Sequence, residues 1–72
     1  MPSHAEELKQ ARQQVEQAQR RIEEQIDLVE RLRADGYDVQ LAELLLLTLL
    51  EVRLKFELHL NTLEQKDVLR GR

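Results

Sequence analysis

Two histidines, one serine and scattered carboxylates are the side chains in this chain that could do chemistry. His59 falls on an apolar helical stripe, where a phosphotransfer histidine or a metal ligand can sit. The same position equally suits a hydrogen-bonded or partly wet seam histidine, which is the simpler reading. His4 lies in the first turn of a helix and is expected to be solvated. No His-Glu-x-x-His run occurs, nor the His and Glu spacing of a dinuclear bundle site, so neither a metal nor a cofactor is expected. The acidic pairs Glu6/Glu7 and Glu23/Glu24 are sequence neighbours, and neighbours diverge on a helix, so they cannot share a proton. Ser3, the only serine, has the position of a helix cap. With no Gly-rich phosphate loop, no nucleophile beside a base and no cysteine, the residues predict a protein that is not an enzyme.

The charge balance bears on nucleic acid. Fourteen acidic residues against eleven basic ones leave a net charge of −3, which opposes general phosphate binding. Arg12, Arg20, Arg31 and Arg33 lie on one segment, but acidic residues are mixed among them. A positive stretch occurs only near the end, with Lys66, Arg70 and Arg72 against Asp67, where cations also complement a helix C-terminus. A small dimeric RNA-binding regulator is the rival reading. The absence of cysteine fits a reducing, cytoplasmic setting. No basic start and apolar stretch of a signal peptide opens the sequence, and the apolar patch Leu44–Leu50 is too short to span a bilayer.

The elements that would position these side chains are helical. Two Gly and one Pro in 72 residues leave too little punctuation for a many-stranded fold. Ser3 followed by Glu6 is a capping-box spacing, with Pro2 just upstream. Leu8, Ala11, Val15, Ala18, Ile22, Gln25, Val29 and Leu32 then alternate steps of three and four, the seam of a coiled coil with one polar member. A polar seam residue such as Gln25 fixes alignment or partner number at some cost in stability. Gly36 suits the left-handed position past a helix end, Tyr37 is placed to pack on Leu32, and Asp38 is an N-cap for a second helix. A second seam runs Ala42, Leu45, Leu49, Val52, Phe56, His59 and Leu63, and no breaker appears before Gly71. The expected domain is one hairpin over 1–72, with helices at about 4–35 and 38–68 and a turn at 36–37. So short a turn forces the helices antiparallel. Folding about it matches Leu32 with Ala42, Ala18 with Phe56 and Ala11 with Leu63, large against small. Spacings such as Glu16–Arg20, Arg20–Glu24, Asp27–Arg31 and Glu51–Lys55 are those of a solvated, ion-paired face.

A hairpin alone leaves a surplus. Leu46, Leu47, Leu50, Leu54 and Leu58 fall between about 60° and 180° from Leu49 on the wheel, a second apolar face turned from the first helix. Ile26 and Leu28 flank the first seam and could widen that surface. Leaving such side chains in water forgoes roughly 1.5–3 kcal/mol each, and a core in a chain this small needs outside help. The expected fold is an all-α antiparallel hairpin dimerising into a four-helix bundle, with those five leucines as the dimer interface. From Ile22 to Leu49 the chain resembles a group of small uncharacterised bacterial helical-hairpin proteins. The resemblance is carried by Ile22, Gln25, Val29, Leu32, Gly36-Tyr37-Asp38, Ala42 and Leu45-Leu46. It implies a helical hairpin from a bacterial cytoplasm and transfers no activity. The expected function is a self-associating scaffold or protein-interaction module, whose partner is a second copy or another protein rather than nucleic acid.

Overall fold

A computed structural model describes residues 3–70, with side chains through Lys66. Two helices account for it, α1 (His4–Ala34) and α2 (Gln40–Arg70), each of 31 residues. Neither contains Gly or Pro, so no residue inside either one breaks the ladder of backbone bonds. They pack side by side as a hairpin measuring 57 × 19 × 15 Å, one helix thick in its narrow direction. Among the described residues there is no strand. Pro2 and Gly71 lie outside those residues.

The ends are closed as their residue types dictate. The Ser3 hydroxyl accepts from the Glu6 amide at 3.2 Å, and its carbonyl takes the Glu7 amide. Glu6 and Glu7 stand in the first turn of α1 and Arg31 and Arg33 in its last, each complementing the helix dipole. Past Ala34 the chain turns on Gly36, whose φ is +80°. The Gly36 amide returns to the Arg33 carbonyl at 3.1 Å and the Tyr37 amide to the Leu32 carbonyl at 2.9 Å. That pair of bonds is the Schellman ending, which satisfies carbonyls the helix would otherwise leave open. Tyr37 is 65% exposed, so the bond from its amide closes the turn and its ring adds little. The Asp38 carboxylate accepts from the Gln40 amide at 3.0 Å. Asp38 therefore caps from outside, and α2 starts at Gln40 rather than 38.

Along α1 the expected seam holds throughout. Leu8, Ala11, Ala18, Ile22, Gln25 and Val29 are buried, and Val15 and Leu32 are half-buried. On α2 the buried set differs from the expected one. Ala42, Leu49, Phe56 and Leu63 face α1, but the residues between them are Leu46, Arg53 and Leu60, all half-buried. Leu45 and His59 are exposed instead, and Val52 flanks the seam half-buried. Helix α2 is thus rotated toward Leu46. Leu8, Ala11 and Leu63 form a buried cluster with Leu60 packed against it. The expected alignment would place Leu8 opposite the exposed Lys66. Leu8 instead joins Ala11 and Leu63 in one cluster, so the expected meeting of Ala11 with Leu63 is kept. Small residues still meet large ones. Ala18 and Phe56 still line one cleft, with Leu49 and Val52.

The turn and the open end can each be tested by substitution. A Cβ on Gly36 would meet nothing within 4 Å, so substitution there is penalised by backbone conformation alone. Gly36→Ala should lower stability by about 1–2 kcal/mol and Gly36→Asn by less, as read by urea denaturation. Equal stability for all three would show that the turn does not need the left-handed conformation. At the open end Ala11 is only 1% exposed. Ala11→Leu should cost about 1–3 kcal/mol by overpacking, and Leu60→Ala in the same chain should recover part of that loss. Strictly additive losses would rule out the Ala11–Leu60 packing.

Candidate functional site

Polar side chains enter the seam at two places. Gln25 is 8% exposed, and its side-chain amide donates to the Ala42 carbonyl at 2.9 Å. This bond crosses between the helices and answers the cost of burying an amide among leucines. It gives Gln25 the aligning role that a polar seam residue implies. The second is Arg53, which occupies a position that periodicity would reserve for an apolar residue. Its guanidinium donates to the Gln19 side-chain oxygen of α1 at 2.8 Å and contacts the Glu57 carboxylate at 3.2 Å. The stem lies along the seam while the charged head reaches its edge. Near the turn Arg33 pairs with Glu43 across the helices, both well exposed.

The wider ion-paired face expected from i,i+4 spacing is not closed. Among the described residues the ion pairs are Arg33–Glu43 and Arg53–Glu57, while Glu16, Arg20, Glu24, Asp27, Arg31, Glu51 and Lys55 stand in solvent. Such pairs contribute little against the entropy of ordering two long side chains.

The histidines are not brought together. His4 begins α1 and is half-buried, whereas His59 is exposed. His59 borders an open cleft of about 390 Å³ with Glu7, Gln14, Leu63 and Lys66. It therefore leaves the seam position that its spacing suggested. Among the described residues no group of three His, Cys, Asp or Glu side chains could hold a metal ion. Arg12, Arg20, Arg31 and Arg33 are exposed on α1 among acidic neighbours. The side chains of Asp67, Arg70 and Arg72, in the basic terminal stretch, lie outside the described ones.

The remaining feature is the far face of α2. Leu47, Leu54 and Leu58 are 57%, 56% and 57% exposed, and Leu44 joins them at 58%. Leu46 and Leu50, grouped with them by the sequence wheel, are half-buried within the hairpin. At the turn end of this face Gln40, Glu43, Leu44 and Leu47 line a shallow depression of about 410 Å³. Thr48 and Thr62 return their hydroxyls to the carbonyls of Leu44 and Leu58, at 3.2 and 3.0 Å. Those hydroxyls are thus engaged within their own helix. Leu28 and Leu45 border a second groove of about 460 Å³ along the seam, beside Arg21, Glu24 and Arg31. No helix among the described residues is long and apolar enough to cross a membrane.

No family model, curated protein or solved structure matches the chain. What it can do must be read from these surfaces. The clefts described above are open, and none of them gathers a nucleophile with a base. The exposed leucine row is the one extended apolar surface that the fold leaves uncovered mid-helix among the described residues.

The Gln25 bond can be tested directly. Gln25→Leu removes the donor together with its desolvation cost, and the Ala42 carbonyl keeps its helical bond, so stability should change by less than about 1 kcal/mol. Gln25→Glu sets a carboxylate facing that carbonyl and should cost about 1–3 kcal/mol. Equal denaturation midpoints for the parent and Gln25→Glu would mean the site is wet.

Proposed function

We propose that this chain is a non-enzymatic, self-associating module, a scaffold or protein-interaction element that works as a homodimer. Two hairpins would join along the outer faces of their α2 helices into a four-helix bundle. One observation carries this reading: Leu44, Leu47, Leu54 and Leu58 are each more than half exposed within a regular helix, beyond its first turn and well before its end. Fraying cannot account for that position, and soluble monomers rarely expose a contiguous apolar stripe.

The scale of the core supports the same conclusion. The buried hydrophobic residues among those described are Leu8, Ala11, Ala18, Ile22, Val29 and Leu63, two of them alanines. A chain of this size with so thin a core gains stability from association. Fully burying a leucine contributes roughly 1.5–3 kcal/mol, so covering four half-exposed ones on each of two copies adds several kcal/mol. Ile26 and Leu28 on α1, 40% and 39% exposed, lie at the edges of the same hairpin and can extend the contact. The absence of cysteine is consistent with work in a reducing cytoplasm.

Analytical ultracentrifugation at micromolar concentration should give about 17 kDa, twice the 8.5 kDa chain. Leu54→Glu removes a leucine from the row and adds a second carboxylate beside Glu51, at a cost of several kcal/mol, and should sediment as a monomer. A parent chain that sediments at 8.5 kDa and still melts cooperatively would refute the proposal.

A further inference from the structure

The outer row of α2 is built about a centre. Counting from Glu51, leucines stand at Leu47 and Leu44 toward the turn, and at Leu54 and Leu58 toward the other end. The steps are three and four residues throughout, which is seam spacing. All four leucines and Glu51 are exposed on the face opposite α1. The outer leucines stand seven residues to either side of Glu51, and the inner two stand four and three residues from it. Turned by half a rotation about an axis through Glu51, Leu44 of one chain meets Leu58 of the other, and Leu47 comes within one residue, about 1.5 Å along the axis, of Leu54.

Two considerations favour the reversed orientation over a parallel one. Antiparallel neighbours set the positive end of one helix dipole beside the negative end of the other, whereas parallel neighbours juxtapose like ends. The second is the charge at the centre. Glu51 would meet its own copy at the axis, and two carboxylates there repel. Lys55 is exposed one turn further along, at the edge of the row. Reversal carries the partner's Lys55 to the opposite side of Glu51 from the chain's own Lys55, so that positive charge flanks each carboxylate on both sides. A parallel copy would place both lysines on one side and leave the other bare.

The geometry points to a second copy of this chain as the occupant of the row, crossing antiparallel with its two-fold axis at Glu51. This rests on the self-association proposed above and adds its orientation and alignment. Because the parent has no cysteine, single cysteines report proximity cleanly with a short bis-maleimide. Glu51→Cys should crosslink to a covalent pair. Leu44→Cys alone should not, since antiparallel copies hold those positions about 21 Å apart at 1.5 Å per residue. A mixture of Leu44→Cys and Leu58→Cys chains should crosslink as a heterodimer. Crosslinking of Leu44→Cys as complete as that of Glu51→Cys would overturn the orientation in favour of a parallel pair. Failure of all three while ultracentrifugation still reports a dimer would place the contact on another face and overturn the axis alone. A monomeric parent would overturn both the axis and the self-association beneath it.

Discussion

Two helices can bury side chains against each other only along a line. That constraint governs the rest of this molecule. A three-layer fold gives each central residue neighbours on several sides, but here each helix has one neighbour and one dry stripe. The tightest positions on that line, Ala11 and Ala18, are 1% and 5% exposed. They let the backbones approach closely enough for the larger residues around them to interlock. Every apolar side chain more than about a quarter-turn from the line meets water. On α1 the composition largely respects this, with charged residues and glutamines filling the outer positions apart from Ile26 and Leu28 at its edges. On α2 it does not, and leucines continue around to the far side.

This difference explains why some features were legible in the sequence and others were not. The seam of α1 was legible residue by residue, because its apolar set is narrow and its surroundings polar, so only one orientation buries it. The turn was legible at Gly36 and Asp38 but not at Tyr37, whose ring is exposed, nor in the start of α2, which begins at Gln40. Gly36 and Asp38 each solve a local backbone problem that tertiary packing does not alter. Helix α2 was legible as a helix but not in its rotation. With leucine at 44 through 47 and again at 49 and 50, two overlapping stripes satisfy the same three-four count. Periodicity favoured the one through Leu45, Val52 and His59, since the other passes through Arg53. The structure takes the stripe with Arg53, because a long aliphatic stem can lie in an apolar seam while its head bonds Gln19 and Glu57 at the edge. A count of apolar residues scores Arg53 as a fault, when it is half a hydrophobic residue.

The same ambiguity displaced part of the candidate surface. Once α2 rotates toward Leu46, that residue and Leu50 turn inward and Leu44 turns outward. The signal for Leu44 was present: Leu44, Leu47, Leu54 and Leu58 stand in heptad spacing once Glu51 is admitted as the member between them. The polar residues inside the otherwise apolar seam, Gln25 and Arg53, thus mark positions where the two helices are aligned. The leucines supply most of the attraction and carry almost no information about alignment.

That division of labour gives the short turn a further consequence. Both helices repeat their pattern every seven residues, so sliding one past the other by a full repeat would again bring apolar against apolar over most of the contact. Side-chain packing alone would leave the hairpin nearly degenerate in phase. The chain between Ala34 and Gln40 removes the degeneracy mechanically. Its amides are tied back to Leu32 and Arg33 and its carboxylate to Gln40, so there is no slack to let out. Any slipped state must first unwind helix on one side of Gly36. The turn therefore acts as the stop of a vernier, selecting one alignment from a ladder of near-equivalents that the leucines by themselves could not tell apart.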